Sequence, residues 1–183
     1  MRYEFRLQGG IGFANAVRRS LISDTTSWAP HEIHVRSNTS CQTDEFLAHR
    51  IGLIPFRKTS NPTTEELKLT AHGPCVVRCD AFRGAGFEPI YPSIHVMELG
   101  DGQQLDLSVS FGRGTGRKHA RYATVSAVGL SPSPEDGSYV LSFESHPDDA
   151  RERVEEALMN LKNRVDAALQ SLGSESPPPT SMI

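Results

Sequence analysis

The chain has 183 residues, of which 37% are hydrophobic and 22% are charged, a balance typical of a globular protein. Its formal net charge of −3 disfavours a free-standing nucleic-acid-binding protein, because such proteins are usually basic. The sequence has neither a run of about 18 apolar residues nor an apolar N-terminal core, so we expect no transmembrane helix and no signal peptide. Three cysteines, an odd number without regular spacing, indicate a reducing, intracellular compartment.

The first 23 residues predict a strand followed by an amphipathic helix. In the strand, charged residues alternate with Tyr3, Phe5 and Leu7. The helix runs from about Ile11 to Ser23, and its apolar stripe repeats every four residues: Phe13, Val17 and Leu21. Arg18 and Arg19 cannot both point into one core, so at least one of them must be solvated, ion-paired or bound to a partner.

A second strand and a short helix are predicted next. The strand is expected to start after Pro30, because proline removes a hydrogen bond inside a sheet. A polar turn leads into a helix over about residues 43–51. The first turn of this helix carries Asp44 and Glu45, where the helix dipole favours negative charge. Its C-terminal cap is expected at Gly52.

The middle of the chain is predicted to be rich in strands. Residues 57–66 are polar and contain an Asn-Pro pair, so they read as a loop and a candidate domain boundary. Between residues 67 and 130 the pattern predicts short strands separated by turns. Another strand is expected at residues 139–144. This pattern predicts a β-rich module.

The last predicted element is a helix from about Pro147 to Leu172. Ser145 and Asp148 have the spacing of a capping box. Apolar residues recur at spacings of four and three, giving a heptad-like seam long enough to pack against another helix: Val154, Leu158, Leu161, Val165, Ala168 and Leu172. The proline-containing residues 173–183 are expected to be a disordered tail.

No arrangement of catalytic or cofactor-binding residues is recognisable, so we predict neither catalytic residues nor a cofactor. The basic, glycine-rich segment 112–118 does not fit the phosphate-binding pattern G-x-x-x-x-G-K-[ST], because histidine follows its lysine. It is interpreted as a solvated hairpin loop, with contact to a partner or to nucleic acid as the alternative. His72, Cys75 and Cys79 lack the spacing of a structural zinc site, so no metal is predicted and the cysteines are expected to be buried and unreactive.

Five segments carry more specific information: A-N-A-V-R-R at residues 14–19, W-A at 28–29, N-T-S at 38–40, D-E-F-L-A-H-R-I-G-L-I-P at 44–55, and G-R-K-H-A-R-Y at 116–122. Together they resemble the alpha-like subunits of multisubunit DNA-directed RNA polymerases, of the kind found in archaea and in the third-largest subunit of eukaryotic polymerase II. The match over residues 44–55 weighs most, because it is long and has no gap. In the last segment Arg121 and Tyr122 stand where the family usually has Lys and Trp.

The resemblance implies an α+β fold, in which an alpha-like dimerisation domain (a sheet plus two main helices) is interrupted by a mostly β insertion domain. It divides the chain into the dimerisation domain at residues 1–56 and 121–172, the insertion at 57–120 and the tail at 173–183. It also implies a non-catalytic assembly subunit. Such a subunit forms a heterodimer with a smaller alpha-like subunit and nucleates binding of the second-largest and largest subunits. Contact with DNA and RNA is expected only through the complex.

The resemblance assigns residues to two kinds of interface. A large catalytic subunit is expected to bind polar residues of the first helix and of the short helix: Asn15, Arg18, Arg19, Asp44, Glu45, His49 and Arg50. The smaller alpha-like subunit is expected to bind apolar residues of the first and last helices: Phe13, Val17, Leu21, Val154, Leu158, Leu161, Val165 and Leu172.

Two alternatives stay open. One is a homodimer of the bacterial alpha type. It is less favoured, because the sequence of residues 44–50 is closer to the archaeal and eukaryotic type. The other is an independent nucleic-acid-binding module that uses the basic loop at residues 112–121. The chain is also shorter than most relatives and lacks their cysteine clusters. This suggests a reduced member from a virus or a streamlined genome, acting in the nucleus or in the virion and host cell.

Overall fold

The computed structural model describes residues 1–59, 66–134, 136–146 and 150–174. These residues form three α-helices: α1 (Ile11–Ser23), α2 (Asp44–Gly52) and α3 (Ala150–Ser174). They also form ten strands: β1 (Arg2–Leu7), β2 (Thr26–Asn38), β3 (Phe56–Lys58), β4 (Glu66–His72), β5 (Cys75–Arg78), β6 (Phe87–Pro89), β7 (His95–Leu99), β8 (Gln104–Thr115), β9 (Val125–Pro132) and β10 (Tyr139–Ser145). The predicted α+β class is confirmed.

The first of two compact units consists of residues 1–25 and the described part of the chain from residue 124 onwards. Its antiparallel sheet has the strand order β1-β10-β9, with Phe5 opposite Leu141. Helices α1 and α3 pack against each other in this unit. Burial of the apolar faces of the sheet and the two helices forms one core: Leu7, Ala14, Val17, Leu21, Val125, Leu141, Phe143, Ala150, Val154 and Ala157.

The second compact unit consists of residues 26–123. It contains a three-stranded antiparallel sheet in the order β2-β8-β4, the two-stranded sheets β3-β6 and β5-β7, and helix α2. Aromatic contacts in the core of this unit join its sheets, such as the stacked rings of Phe87 in β6 and Phe111 in β8, whose centroids lie 3.8 Å apart. Leu47 and Ile51 fix α2 on this core, because both side chains are fully buried.

The predicted domain partition concerns an insertion and stays a prediction. The compact units have different bounds: strand β2 and helix α2 pack with the β-rich residues of the second unit. The predicted capping box of α3 lies partly outside the described residues, because Asp148 is not among them. Ser145 itself belongs to β10, and its hydroxyl donates a hydrogen bond to the Thr124 carbonyl at 3.3 Å.

Strand β2 corrects the expected start after Pro30. The strand begins at Thr26 and runs through Pro30, where the pairing with β8 shifts register in a β-bulge. β2 is also an edge strand of its sheet. Proline is tolerated at edges and bulges because its missing N–H costs no ladder hydrogen bond there.

The glycine-rich segment also differs from its prediction as a hairpin loop. Residues 112–115 belong to strand β8 and pair with β2. A Cβ atom added to Gly114 would lie 2.7 Å from the ring of Tyr122, so this glycine lets the buried aromatic ring pack onto the strand. Gly52 differs in a smaller way, since it is the last residue of α2 and Leu53 is the cap.

Candidate partner-binding surfaces

Helix α1 has one face in the core and another that is exposed. Val17 and Leu21 are fully buried inside the first unit, although the sequence analysis proposed them for dimer contacts. Phe13, from the same proposed stripe, is 46% exposed, and Ile11 and Ile22 are also exposed. The exposed apolar residues of α1 therefore lie on two sides of the helix, with Ile11 and Ile22 on one side and Phe13 on the other.

The polar residues proposed on α1 differ in their surroundings. Arg18 is partly buried, and its Nε donates a hydrogen bond to Asn15 Oδ1 at 3.0 Å. Arg19 is exposed. The prediction that at least one of the two arginines is solvated or paired is met, because Arg18 is hydrogen-bonded to Asn15 and Arg19 is exposed to water.

Helix α3 changes its surroundings along its length. Ala150, Val154 and Ala157 are buried in the core of the first unit. Leu158 and Leu161 are partly buried and pack against that core. From residue 162 to residue 172 every residue is exposed. The first part of the heptad pattern therefore lies in the core, and its last part is exposed to water.

The exposed end of α3 keeps an apolar face. Val165 is 57% exposed, Leu169 is 61% exposed and Leu172 is 70% exposed. With Ala168 they stand at positions i, i+3, i+4 and i+7, which lie on one face of a helix. We call these four residues the exposed α3 seam. Of the proposed dimer residues, Val165 and Leu172 belong to it, whereas Val154 is buried within the chain.

Helix α2 is positioned by a hydrogen-bonded turn that precedes it. Asn38 Nδ2 donates to Asp44 Oδ1 at 2.7 Å, and Asn38 Oδ1 accepts from the Ser40 hydroxyl at 2.7 Å. The Thr43 hydroxyl accepts the backbone N–H of Phe46 at 3.4 Å and caps the helix. The N-T-S segment and the start of α2 therefore form one local structure, which the sequence suggested only as a turn followed by a helix.

A groove of about 330 Å³ runs beside α2 and is lined by Phe46, His49, Arg50, Leu53, Ile54, Ile94 and His95. Phe46 is 53% exposed and Leu53 is 48% exposed, and both line this groove, so they form one exposed apolar patch. Asp44, Glu45 and His49 are exposed as well. The groove thus combines an apolar floor with charged and polar residues of the same helix.

Arg50 has an internal role that the sequence did not indicate. Its Nε and Nη2 donate hydrogen bonds to the His95 carbonyl at 3.2 and 2.9 Å. The guanidinium therefore anchors α2 to strand β7, since both donors of one planar group meet one oxygen. Residues 50 and 95 are far apart in sequence, and no local pattern marks their contact.

The G-R-K-H-A-R-Y segment supports the β2 bulge within the second unit. Arg121 Nη1 donates to the Pro30 carbonyl at 2.8 Å. The buried Tyr122 hydroxyl lies 3.3 Å from His31 Nδ1. Arg113, the first arginine of the proposed nucleic-acid loop, donates to the Thr26 hydroxyl at 2.9 Å. Two cations of that loop are thus engaged in contacts within the chain.

Cys75 and Cys79 are predicted to be buried and unreactive, and one of the two fits this prediction. Cys79 is fully buried, and its removal from water raises the pKa of its thiol to about 11. Cys75 is exposed, so its expected burial is wrong, and Cys41 is exposed as well. Within the described residues no three His, Cys, Asp or Glu side chains are grouped to hold a metal ion.

The exposed α3 seam and the apolar residues of the groove beside α2 are features of a subunit that assembles with other chains. Among the helices of the described residues, none is both long and apolar enough to cross a membrane. The comparison with known proteins defines the class further.

The chain is 31% identical over 170 residues to DNA-directed RNA polymerase subunit Rpo3 of Methanocaldococcus jannaschii, covering 92% of this chain and 88% of that subunit. It is 29% identical over 131 residues to Rpo3 of Pyrococcus horikoshii, covering 64% of this chain and 51% of that subunit. It is 28% identical over 170 residues to the mouse DNA-directed RNA polymerases I and III subunit RPAC1, covering 68% of this chain and 49% of that subunit. No family model matches the chain.

The chain belongs to the family of alpha-like RNA polymerase subunits represented by archaeal Rpo3 and eukaryotic RPAC1. Members of this family are non-catalytic assembly subunits of DNA-directed RNA polymerase, so the predicted class is confirmed. The independent nucleic-acid-binding module is not favoured. The chain spans most of the Methanocaldococcus subunit and about half of the other two relatives.

Proposed function

We propose that the chain pairs with a smaller alpha-like subunit, and that the heterodimer is the platform on which the second-largest and largest polymerase subunits assemble. The complex acts inside the cell, in the compartment where its polymerase transcribes. The observation that carries the pairing is the exposed α3 seam. Burying a valine- or leucine-sized side chain stabilises an assembly by roughly 1.5–3 kcal/mol, so a partner helix on this seam gains substantially.

The length of the exposed part of α3 supports a helical partner. Most of the stability of a helix in a protein comes from tertiary packing of its apolar face, so a helical segment that extends beyond its packed part is weakly held. The exposed segment from residue 162 to residue 172 lacks core contacts over its whole length. A second helix packed along the heptad seam supplies the missing tertiary contacts. The exposed residues Ile11, Phe13 and Ile22 of α1 extend the apolar surface available in the first unit.

The α2 surface is the proposed contact for a large catalytic subunit. Phe46 and Leu53 supply exposed apolar area at the groove, and Asp44, Glu45 and His49 supply polar groups around it. Interfaces combine an apolar centre with a polar rim in this way. Arg50 supports the surface through its bonds to His95 and positions the helix for a partner. Asn15, Arg18 and Arg19 of α1 are proposed to contact the same class of partner.

Affinity purification of the tagged chain from its native source, followed by mass spectrometry, tests the assembly role. We expect recovery of the two largest polymerase subunits together with one small alpha-like subunit. Recovery of the chain with a second copy of itself and without a small subunit would support the homodimer instead. Recovery of unrelated proteins would contradict the proposed function.

Substitutions in the α2 groove test the large-subunit contact separately. Phe46→Ala combined with Leu53→Ala is expected to reduce recovery of the second-largest subunit and to leave the small subunit bound. Val76→Ala is the matched control, because Val76 is 47% exposed in the same compact unit and lies on β5. Equal recovery of the large subunit with both variants would show that the groove is not its binding surface.

A further inference from the structure

Four polar residues join the end of α1 to the middle of α3 in the first unit. The Ser20 hydroxyl donates to the Ala157 carbonyl at 3.0 Å, and both residues are buried. Asn160 Nδ2 donates to the Asp24 carbonyl at 2.9 Å. Arg164 Nη1 lies 3.0 Å from Asp24 Oδ2. These contacts fall on successive turns of both helices, and we call them the α1–α3 clamp.

Asp24 is the central residue of the clamp. It caps the C-terminus of α1, where its backbone N–H donates to the Ser20 carbonyl at 2.8 Å. Its side chain is only 14% exposed and also accepts a hydrogen bond from the Ser23 hydroxyl at 2.7 Å. The carboxylate is therefore held in one orientation before it meets Arg164. A hydrogen bond from a guanidinium to a fixed carboxylate is directional. The Arg164 side chain is 63% exposed, so we expect this contact to orient α3 more than to stabilise the fold.

The clamp lies where α3 leaves the core. Leu161 is partly buried, and every residue from 162 to 172 is exposed. We propose that the clamp sets the direction in which α3 projects and so determines how the exposed α3 seam meets its partner; this inference rests on the proposed pairing. Ser20, Asp24, Asn160 and Arg164 are positioning residues in this role.

Geometry explains why direction matters. Residue 172 lies about 12 Å beyond residue 164 along the helix axis, at a rise of about 1.5 Å per residue. A tilt of about 10° at the clamp moves Leu172 by about 2 Å over that length. Such a shift is enough to misplace a side chain that packs into the hole between four residues of a facing helix. The hydrophobic effect is non-directional, whereas hydrogen bonds have preferred distances and angles, so the clamp adds an orientation that burial alone does not specify.

A double-mutant cycle tests the clamp with the full chain and the smaller alpha-like subunit. Asp24→Asn and Arg164→Gln are each expected to weaken the heterodimer about tenfold, and the double variant is expected to weaken it no further, since both act through one contact. Arg151→Gln is the control, because Arg151 pairs at 2.8 Å with Glu155 of α3 itself. Thermal unfolding of the free variants is expected to change little.

The outcomes separate the clamp from the pairing itself. If Val165→Asp abolishes the heterodimer but both clamp variants bind like the unmodified chain, the clamp inference is overturned and the pairing stands. If Arg164→Gln weakens binding and Asp24→Asn does not, Arg164 contacts the partner directly and the clamp is again overturned. If the unmodified chain does not bind the small subunit, the proposed pairing fails.

A measurement on the chain alone tests the clamp even if the pairing fails. Spin labels at Gly12→Cys and Gln170→Cys report the distance across the clamp by electron paramagnetic resonance. The exposed Cys41 and Cys75 are replaced by serine, and the buried Cys79 is kept because it is not accessible to the label. Both labelled positions are exposed, and nothing lies within 4 Å of the Cβ position at Gly12. Asp24→Asn is expected to broaden the distance distribution. If the distance distribution of the Asp24→Asn variant is as narrow as that of the chain with the intact clamp, the proposal is contradicted.

Discussion

Helix α3 has two halves that share one heptad pattern but differ in what surrounds them. In the first half, Ala150, Val154 and Ala157 are buried against the sheet and α1. In the second half, Val165 and Leu172 continue the pattern and are more than half exposed. The difference teaches that periodicity identifies the apolar face of a helix. It does not tell whether that face is covered by the same chain or by another one.

The same substitution in both halves would give the largest difference. Val154→Asp places an unpaired charge in the core and is expected to lower the free energy of unfolding by roughly 3–5 kcal/mol. Val165→Asp places the charge in water and is expected to change the stability of the free chain by less than about 0.5 kcal/mol. Urea unfolding of both variants measures this contrast. Equal destabilisation would mean that the second half of α3 is covered within the chain.

Binding is expected to show the reverse sensitivity. Val165→Asp and Leu172→Asp are each expected to weaken the heterodimer at least about tenfold, because a charge replaces an apolar contact within the seam. Leu172→Met keeps an apolar side chain of similar volume and serves as the control. Isothermal titration with the small subunit measures the dissociation constants. Unchanged constants for both aspartate variants would place the partner elsewhere.

Hydrogen exchange distinguishes the halves without any substitution. Backbone amides between residues 165 and 172 are expected to exchange faster than those between residues 154 and 161, because the exposed segment lacks core contacts. Addition of the small subunit is expected to slow exchange in the second half most. Mass spectrometry of peptides from the two halves reads out both effects. Slow exchange of the amides of residues 165–172 in the free chain would indicate that other residues of the same chain pack over this segment.

A surface ion pair on the buried half is expected to matter least. Arg151 and Glu155 lie 2.8 Å apart, but their side chains are 86% and 62% exposed. Solvent screens such pairs, so Arg151→Gln is expected to leave both thermal unfolding and heterodimer affinity unchanged within error. A clear loss of either would show that charge on this face of α3 contributes to packing or to the interface.

Local patterns were sufficient for several elements. Helix α1 has the predicted bounds, because a glycine pair precedes it and its apolar residues repeat at helical spacing. Helix α2 begins one residue later than predicted, after its Thr43 cap. The class of protein was also predictable, since the segment at residues 44–55 matches the family without a gap. These features depend on residues close together in sequence.

Features that depend on distant residues were not predictable. β2 continues through Pro30 because it pairs with β8 at a bulge and Arg121 binds the Pro30 carbonyl. Gly114 belongs to a strand because Tyr122 packs on it. The candidate surfaces show the same limit. Val17 and Leu21 were proposed as partner contacts because the family resemblance implies a dimer interface on the first helix, yet both side chains are buried within the chain.

Reconstitution with the smaller alpha-like subunit of the same genome tests the central claim most directly. The full chain and the small subunit would be produced together, and the mass of the purified complex would be measured by light scattering. We predict a one-to-one heterodimer for the unmodified chain and separate chains for the variant that combines Val165→Asp with Leu172→Asp. A chain that remains monomeric beside the small subunit, or a heterodimer that the double variant still forms, would contradict the account.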